Sequence, residues 1–344
     1  MVAQVDLREG YSNECMRMEG RVCIGNNTVI DKNSRRDNDE SIFAYFNFDN
    51  EFGSDMSING VNHLKYDPSV LSKLIPSFNG QGFSQELSES KFLTLNISNI
   101  GTNTFSLNLW VFLVEQDQSQ NQQLFLTYAD NIQNFDIQLY LTPYGNLNLK
   151  TKDRQITRTN SRLRQRQWNR LSINIIDNQK VQVILNSKVD IDLNIDQPFD
   201  YGQNRDGSKA IYIGGDPWHD ASGYKAFIDD LRVVKSQTTV RSQAQSMREI
   251  YTDQQLFNLQ NADLGCKSIV FDQAHDCCPS SKNHICDDIE LTQFGYGVAK
   301  FMGWIDQSEI VRVFTAEMIS NKQYKPDFEP LEKGLVICCK NNQN

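Results

Sequence analysis

The side chains able to do chemistry concentrate in two stretches of the 344-residue chain. The first is residues 150–170, KTKDRQITRTNSRLRQRQWNR. It carries Lys150, Lys152, Arg154, Arg158, Arg162, Arg164, Arg166 and Arg170 against a single acid, Asp153. Arg162, Arg164 and Arg166 alternate with Leu163 and Gln165, so an extended chain would project them from one face in a row about 7 Å apart. Guanidinium forks in a row suit an acidic glycan, a carboxylate-rich partner or an acidic protein surface. The plainer reading of the same run is a solvated strand whose charge deters edge-to-edge pairing.

The second stretch is the cysteine-rich tail. Cys266, His275, Cys277, Cys278, His284 and Cys286 lie close together, and Cys338 and Cys339 follow. Zinc takes such ligands, but there is no C-x2-C pair and only one residue separates His284 from Cys286. An even number of cysteines suits disulfides. Adjacent cysteines rarely bridge each other, so Cys277/Cys278 and Cys338/Cys339 should each reach separate partners. Cys15 and Cys23 would close a small loop at the front. Disulfides are the expected use and zinc the alternative.

Groups for catalysis do not assemble. There is no G-x-S-x-G and no H-E-x-x-H, and His63, His219, His275 and His284 lack companions. Glu86/Glu89 and Asp287/Asp288/Glu290 are the nearest carboxylate clusters, and neither sits on a convincing strand with the spacing that glycoside cleavage uses. The expectation is a protein that is not an enzyme.

Charge and hydropathy narrow the class further. With 34 basic and 43 acidic side chains the net charge is −9, which argues against general binding of nucleic acid. No apolar run approaches the ~20 residues of a spanning helix. The opening, MVAQVDLREGYSNEC, shows no apolar signal-peptide core. The cysteines nevertheless favour an oxidising compartment, a cell surface, secretory lumen or extracellular matrix. The alternative is an intracellular protein with reduced thiols. Asn26-Asn27-Thr28 and Asn96-Ile97-Ser98 are glycosylation sequons, a number so Asn-rich a chain can reach by chance.

The elements that must hold these groups read as short strands. In WNRLSINIIDNQKVQVILNSKVD (168–190), Leu171, Ile173 and Ile175, then Val181, Val183 and Leu185, alternate with polar residues, as in a hairpin with one apolar face. Asp177-Asn178-Gln179 between the runs suits its turn. Further runs at IFAYFNFDN, KFLTLNIS, FSLNLWVFL, QLFLTYA, FDIQLYLTP, GNLNLKT, AIYIGG and FIDDLRVV bring the count to about ten. Many short strands with turn chemistry between them mean a two-sheet sandwich or barrel. TVRSQAQSMREIYTDQQLF reads as the one helix. Three segments are expected: an N-terminal extension (1–40), an all-β domain (41–253) and a small cysteine-rich C-terminal module (254–344).

Five pieces of the middle segment, in order, resemble the laminin-G-like, concanavalin A-like lectin/glucanase jelly-roll family. AYFNFDNEFGSDMSINGVNH carries Phe48, Asp49, Asp55, Ser57, Asn59 and Asn62 on the family's opening pattern. TFSLNLWVFL places Trp110 at its aromatic position. QWNRLSINIIDNQKVQVILNSKV follows, with Arg170 where His or Tyr is usual and Ser187 where Gly is usual. IYIGGDPW and FIDDLRVVKS close the domain, with Ala226 where Gly is common. The resemblance implies two antiparallel sheets packed face to face. It also implies a structural calcium held by Asp49, Asp229 and Asp230, for which hard oxygen donors are the right chemistry. The competing reading leaves one Asp in water while the other caps a turn or pairs with Arg232. Family members commonly bind acidic glycans through basic faces, here Arg158, Arg162, Arg164, Arg166 and Arg170. The expected function is therefore binding of glycan or protein partners, without a transmembrane segment and as part of a larger assembly. The alternatives are a jelly-roll scaffold subunit of an intracellular assembly and a divergent glycan hydrolase.

Overall fold

The computed structural model describes residues 40–48, 55–57, 65–66, 74–79, 83–87, 92–116, 123–153, 156–199, 209–218, 224–278, 281–305, 313–320 and 333–341. Asp49, Cys15 and Cys23 lie outside them. The chain divides into two compact units, residues 1–159 with 163–243, and residues 160–162 with 244–344. The boundary at Gln243/Ala244 falls ten residues before the one expected.

The first unit is an antiparallel β-sandwich. Its strands are β1 (Ile42–Phe46), β2 (Lys65–Tyr66), β3 (Leu74–Pro76), β4 (Phe83–Leu87), β5 (Leu93–Leu95), β6 (Phe105–Gln116), β7 (Gln123–Ala129) and β8 (Phe135–Leu141). They continue as β9 (Asn146–Thr151), β10 (Ile156–Arg162), β11 (Trp168–Ile176), β12 (Lys180–Leu185), β13 (Lys188–Asn194), β14 (Ala210–Ile213) and β15 (Tyr224–Val234). One sheet runs β13-β12-β11-β6-β15-β4-β3, with β1 also on β15; the other runs β10-β9-β8-β7-β14-β5-β2. Of the sandwich or barrel that the strand pattern allowed, the two-sheet sandwich implied by the resemblance is the fold observed.

Period-two alternation decides which side chains enter the core. Leu107, Leu109, Val111, Leu171, Ile173, Ile175, Val181 and Val183 from one sheet meet Leu126, Ile137, Leu139, Leu147, Leu149 and Ile211 from the other. The expected hairpin forms with Leu171 opposite Leu185 and Ile175 opposite Val181. Its turn places Asp177 (φ 50°) and Asn178 (φ 58°) in the left-handed region, which Asx side chains tolerate. Asn186 (φ 50°) and Ser187 (φ 64°) do the same between β12 and β13, so the position with Ser in place of Gly still makes a tight hairpin turn.

Strand β15 carries an irregularity that positions the predicted metal ligands. Its first half pairs with β4, from Ala226 to Ile228, and its second half with β1, from Leu231 to Val234. Between them the register against β6 slips at Asp229–Arg232, where Asp230 has φ 49°. A bulge of this kind re-aims side chains out of the regular alternation.

The second unit contains α2 (Asp253–Asn261), β16 (Ala262–Val270), a 3-10 turn (Phe271–Cys277), β17 (Asn283–Ile285), α3 (Asp288–Glu290), a π turn (Leu291–Gly295), α4 (Tyr296–Phe301), β18 (Val313–Phe314), α5 (Ala316–Ser320) and β19 (Lys333–Lys340). The single helix read over 239–257 is in fact two, because α1 (Val240–Met247) ends before Thr252 starts α2 with a capping box to Gln255. The Thr252 hydroxyl satisfies an N–H that a continuous helix would have used, so the chain restarts there. Strand β19 lies at the centre of a four-stranded sheet, between β16 and β17 and paired with β18.

Three disulfides staple this unit: Cys266–Cys277, Cys278–Cys338 and Cys286–Cys339. Each adjacent cysteine reaches a separate partner, as strain at neighbouring residues requires. Cys266, Cys277 and Cys278 join a core of Ala274, Phe314, Val336, Ile269 and Phe271. Gly334 is required there, since a Cβ would sit 2.6 Å from the Phe314 ring.

Candidate functional site

The predicted basic row does not form. Strand β10 ends at Arg162, Leu163 donates its N–H to the Gly145 carbonyl, and Gln165 bridges to Leu113. Arg166 then turns at φ 59° and donates its N–H to the Leu113 carbonyl. Asn169 accepts from the Arg164 N–H at 3.1 Å and donates to the Arg164 carbonyl at 3.0 Å, holding the segment as a loop. Arg162, Arg164 and Arg166 therefore lack the common strand that would aim them together. Alternation in the sequence was read as extension, but the side-chain amide of Asn169 offered the backbone another set of partners.

Arg170 is also reassigned. It is 5% exposed and packs over the Trp110 ring, 5.3 Å from its centroid. Its Nη1 donates to Asp230 Oδ2 at 3.0 Å, while Arg232 Nε donates to Asp230 Oδ1 at 2.8 Å. Phe78 stacks on the same indole at 4.8 Å. Trp110, Arg170, Asp230 and Arg232 thus form a buried clasp on the outer side of the eight-stranded sheet. They are not a surface that meets a ligand.

The same clasp answers the calcium reading. Both carboxylate oxygens of Asp230 face guanidinium groups, and a cation there would meet two positive charges. Asp229 Oδ1 accepts the Asp230 N–H at 2.7 Å and its Oδ2 accepts the Phe78 N–H at 3.4 Å. Asp229 and Asp230 are thus engaged within the fold, Asp230 pairing with Arg232 and Asp229 buried rather than in water; Asp49, the third residue of the calcium reading, lies outside the described residues. Asp55, from the opening motif, accepts the N–H groups of Tyr45 at 3.0 Å and Ser57 at 2.9 Å. It ties the following segment to β1.

The zinc alternative fails for a related reason. The six tail cysteines that would be thiolate ligands are paired in disulfides. His284 has Nε2 2.7 Å from Glu290 Oε2 and Nδ1 2.7 Å from Asn341 Oδ1. Of the carboxylates weighed for catalysis, Glu86 is buried beside Lys225 and Asp287 with Glu290 caps α3, while Glu89 lies outside the described residues.

A different group of residues comes together on the outer side of the seven-stranded sheet. Alternation against the core residues Ile137, Leu139, Leu147, Leu149 and Ile211 turns Gln138, Tyr140, Asn148, Lys150 and Tyr212 outward. The register lines up Lys150, Gln138, Thr127, Tyr212 and Thr94 across β9, β8, β7, β14 and β5. From Lys150 to Tyr212 the line crosses three strand spacings, about 14 Å. Tyr140 and Asn148 form the next pair along.

The IGGDPW motif completes this face. Gly214 (φ 96°) and Gly215 (φ 148°) turn the chain after β14 through conformations closed to most side chains. Asp216 Oδ1 then accepts the Trp218 N–H at 2.9 Å, and the Trp218 indole meets Tyr212 edge-on at 5.1 Å. Phe92 approaches Tyr212 from the other side at 5.9 Å.

The floor of the face is polar and closed: Thr127, Gln138 and Asp216 are buried, and the Tyr140 hydroxyl donates to Gln138 Oε1 at 2.9 Å. Above it, Phe92, Tyr140, Asn148, Lys150 and Trp218 are half-buried. Burial, then the negative charge of Asp216, raises the Tyr140 and Tyr212 phenols above their ordinary value; Asp130 adds to the shift of Tyr212.

The far end of the face is cationic. Lys150 Nζ lies over the Phe135 ring at 4.8 Å. The exposed Arg158 donates to Asn146 Oδ1 at 2.6 Å. Among the five predicted arginines, Arg158 is the one the contacts tie to this face, through Asn146 at the start of β9. Beneath, a buried Lys209–Asp136 pair at 2.8 Å ties the start of β14 to β8. The sequence reading missed Tyr140, Tyr212, Asp216 and Trp218. The signal available was IYIGGDPW itself, two glycines followed by an acid and an aromatic.

Comparison with known proteins accords with the sandwich. Residues 87–243 match the model of the concanavalin A-like lectin/glucanases superfamily. Residues 259–342 match a family described as a domain of unknown function (DUF8019). None of the curated proteins compared matches the chain.

Among solved structures, the chain is similar to domain 4 of AbnA, a GH43 extracellular arabinanase from Geobacillus stearothermophilus, in complex with arabinotriose. Identity is 19%, coverage 59% of this chain and 96% of that one, and the TM-score 0.45. It is also similar to the binding domain of botulinum neurotoxin DC in complex with SialylT, at 12% identity, 62% and 52% coverage and TM-score 0.46. The botulinum neurotoxin serotype D binding domain follows at 12% identity, 72% and 60% coverage and TM-score 0.46. The match thus spans just over half of these two binding domains. No described helix is long and apolar enough to cross a membrane.

Proposed function

We propose that the protein is a non-enzymatic saccharide-binding protein that takes its ligand on the outer face of the seven-stranded sheet. The observation that carries this reading is the grouping of Trp218, Tyr140 and Tyr212 around Asp216. Aromatic rings offer an apolar platform at small entropic cost, held in place by Asp216 through the Trp218 N–H, and the half-buried amide of Asn148 beside it can pair with hydroxyl groups. Lys150 and Arg158 at the far end suit a carboxylate or sulfate on the ligand, so an acidic glycan is the preferred class. The superfamily match supports the reading. The three disulfides are compatible with an oxidising compartment, and we place the protein at a cell surface, in a secretory lumen or in matrix.

An array of neutral and acidic glycans tests this, probed with the full chain with and without calcium. Binding that is lost in Trp218→Ala is expected, with acidic ligands also weakened in Lys150→Gln and Arg158→Gln. Asp230 is paired with two guanidinium groups, so binding unchanged by chelation is expected, and binding that requires calcium would return the metal reading. Binding undiminished in Trp218→Ala would move the ligand elsewhere, and no binding by the native chain would favour a docking role within an assembly.

A further inference from the structure

We propose that Asn96 is the acceptor of an N-linked glycan. Asn96-Ile97-Ser98 has the residue order that oligosaccharide transfer requires. In an Asn-rich chain that order alone means little, and it is the placement of the three residues that carries the inference.

Asn96 follows β5 directly. Leu95 and Ile97, its neighbours on either side, are 1% and 0% exposed and belong to the sandwich core. The side chain between them must point away from that core, and Asn96 is exposed. Its Oδ1 accepts the Ser98 N–H at 2.8 Å. That bond orients the amide with the oxygen turned back on the chain and Nδ2 free of any partner among the described residues. A glycan attached at Nδ2 would keep this bond and displace no packed atom. Ile97 closes a turn with the Ile100 N–H at 3.0 Å, so the sequon ends on a tight surface corner.

In the transfer, Nδ2 of Asn96 bonds to the anomeric carbon of an oligosaccharide carried on a polyprenyl pyrophosphate. The bond from that carbon to the pyrophosphate oxygen breaks, the pyrophosphate leaves with the electron pair, and the amide gives up one proton. The reaction acts on the chain before it folds, so what the fold must provide is tolerance of the product. The donor and its transferase belong to the lumen that also forms disulfides, and the tail unit has three. This inference does not depend on the saccharide-binding reading.

The test uses the full chain purified from its native source or secreted by an N-glycosylating eukaryotic host. The protein is treated with peptide N-glycosidase in heavy-oxygen water and mapped by mass spectrometry, with cysteine alkylation before reduction on a parallel sample. A heavy-oxygen Asp at position 96 is the result expected. Ser98→Ala and Asn96→Gln should each abolish the label there, and Ser98→Thr should keep it, since the backbone N–H that orients Asn96 is unchanged. An unlabelled Asn96 in protein whose tail cysteines resist alkylation would overturn the proposal. Unlabelled Asn96 with free thiols would overturn it too, by removing the lumenal route. Loss of glycan binding in Trp218→Ala with Asn96 still labelled would leave the two readings separate.

Discussion

Replacing Arg170 with Met asks whether the Trp110–Arg170–Asp230–Arg232 clasp is structural. Arg170 and Asp230 side chains are 7% and 9% exposed and meet at 3.0 Å. Removing one partner of a buried ion pair leaves the other charge without compensation, at a cost of about 3–5 kcal/mol. Here Asp230 keeps Arg232, whose side chain is 33% exposed and so bonds a half-solvated cation. Methionine also retains apolar cover over Trp110. The loss should therefore fall at the low end, about 3 kcal/mol, on the order of a hundredfold in the folded-to-unfolded ratio. Adding Asp230→Asn removes the orphaned charge and should restore about 1 kcal/mol or more. Urea unfolding followed by tryptophan fluorescence measures both. Because the clasp and the Trp218 face lie on the outer sides of different sheets, glycan affinity of folded Arg170→Met should match that of the native protein. A stability loss under about 1 kcal/mol, or lost affinity without lost stability, would refute the assignment and return Arg170 to a ligand-binding role.

Four further outcomes follow from the geometry. Trp218→Ala should weaken glycan binding by about 1–2 kcal/mol, roughly five- to thirtyfold by calorimetry, with the circular dichroism of the sandwich unchanged. Asp216→Ala removes the acceptor of the Trp218 N–H and should bind less tightly, whereas Asp216→Asn can still accept it and should bind nearly as well as the native chain; a far-ultraviolet spectrum checks that both variants fold. Replacing Cys278 and Cys338 with Ala opens a bridge of sequence separation 60, against 11 for Cys266–Cys277. Chain entropy assigns about 4 kcal/mol to the first and about 3 to the second, so thermal unfolding of the tail unit should show the longer bridge mattering more. At alkaline pH, burial raises the Tyr251 phenol to about 12 and pushes those of Tyr45 and Tyr224 higher still. The folded state then holds protons that the unfolded state releases from about pH 10, so stability should be intact below that pH and fall above it. Phenolate absorbance that rises only with unfolding would show this; early titration of every tyrosine would contradict it.

The sandwich was legible because alternation is a local property. Leu171, Ile173 and Ile175 can share a face in one way only if the chain is extended, and Asp177-Asn178 marks where it must reverse. The disulfide pattern was legible in part: strain between neighbours forbade the Cys277–Cys278 and Cys338–Cys339 bonds, but strand β19 had to lie between β16 and β17 before Cys338 and Cys339 could face their partners. The functional residues were read less well. Arg162, Arg164 and Arg166 alternate as faithfully as any strand, and Asn169, by bonding the backbone at Arg164, makes them a loop. Arg170 and Asp230 are 60 positions apart in sequence and meet only because β11 and β15 flank β6. The same holds for Tyr140, Tyr212 and Trp218, which register across β7 and the turn at Gly214-Gly215 bring to one face. Residue type and spacing determined which segments extend and where they turn. Which charges are spent inside the fold, and which side chains are left to meet a ligand, was decided by pairing between distant strands.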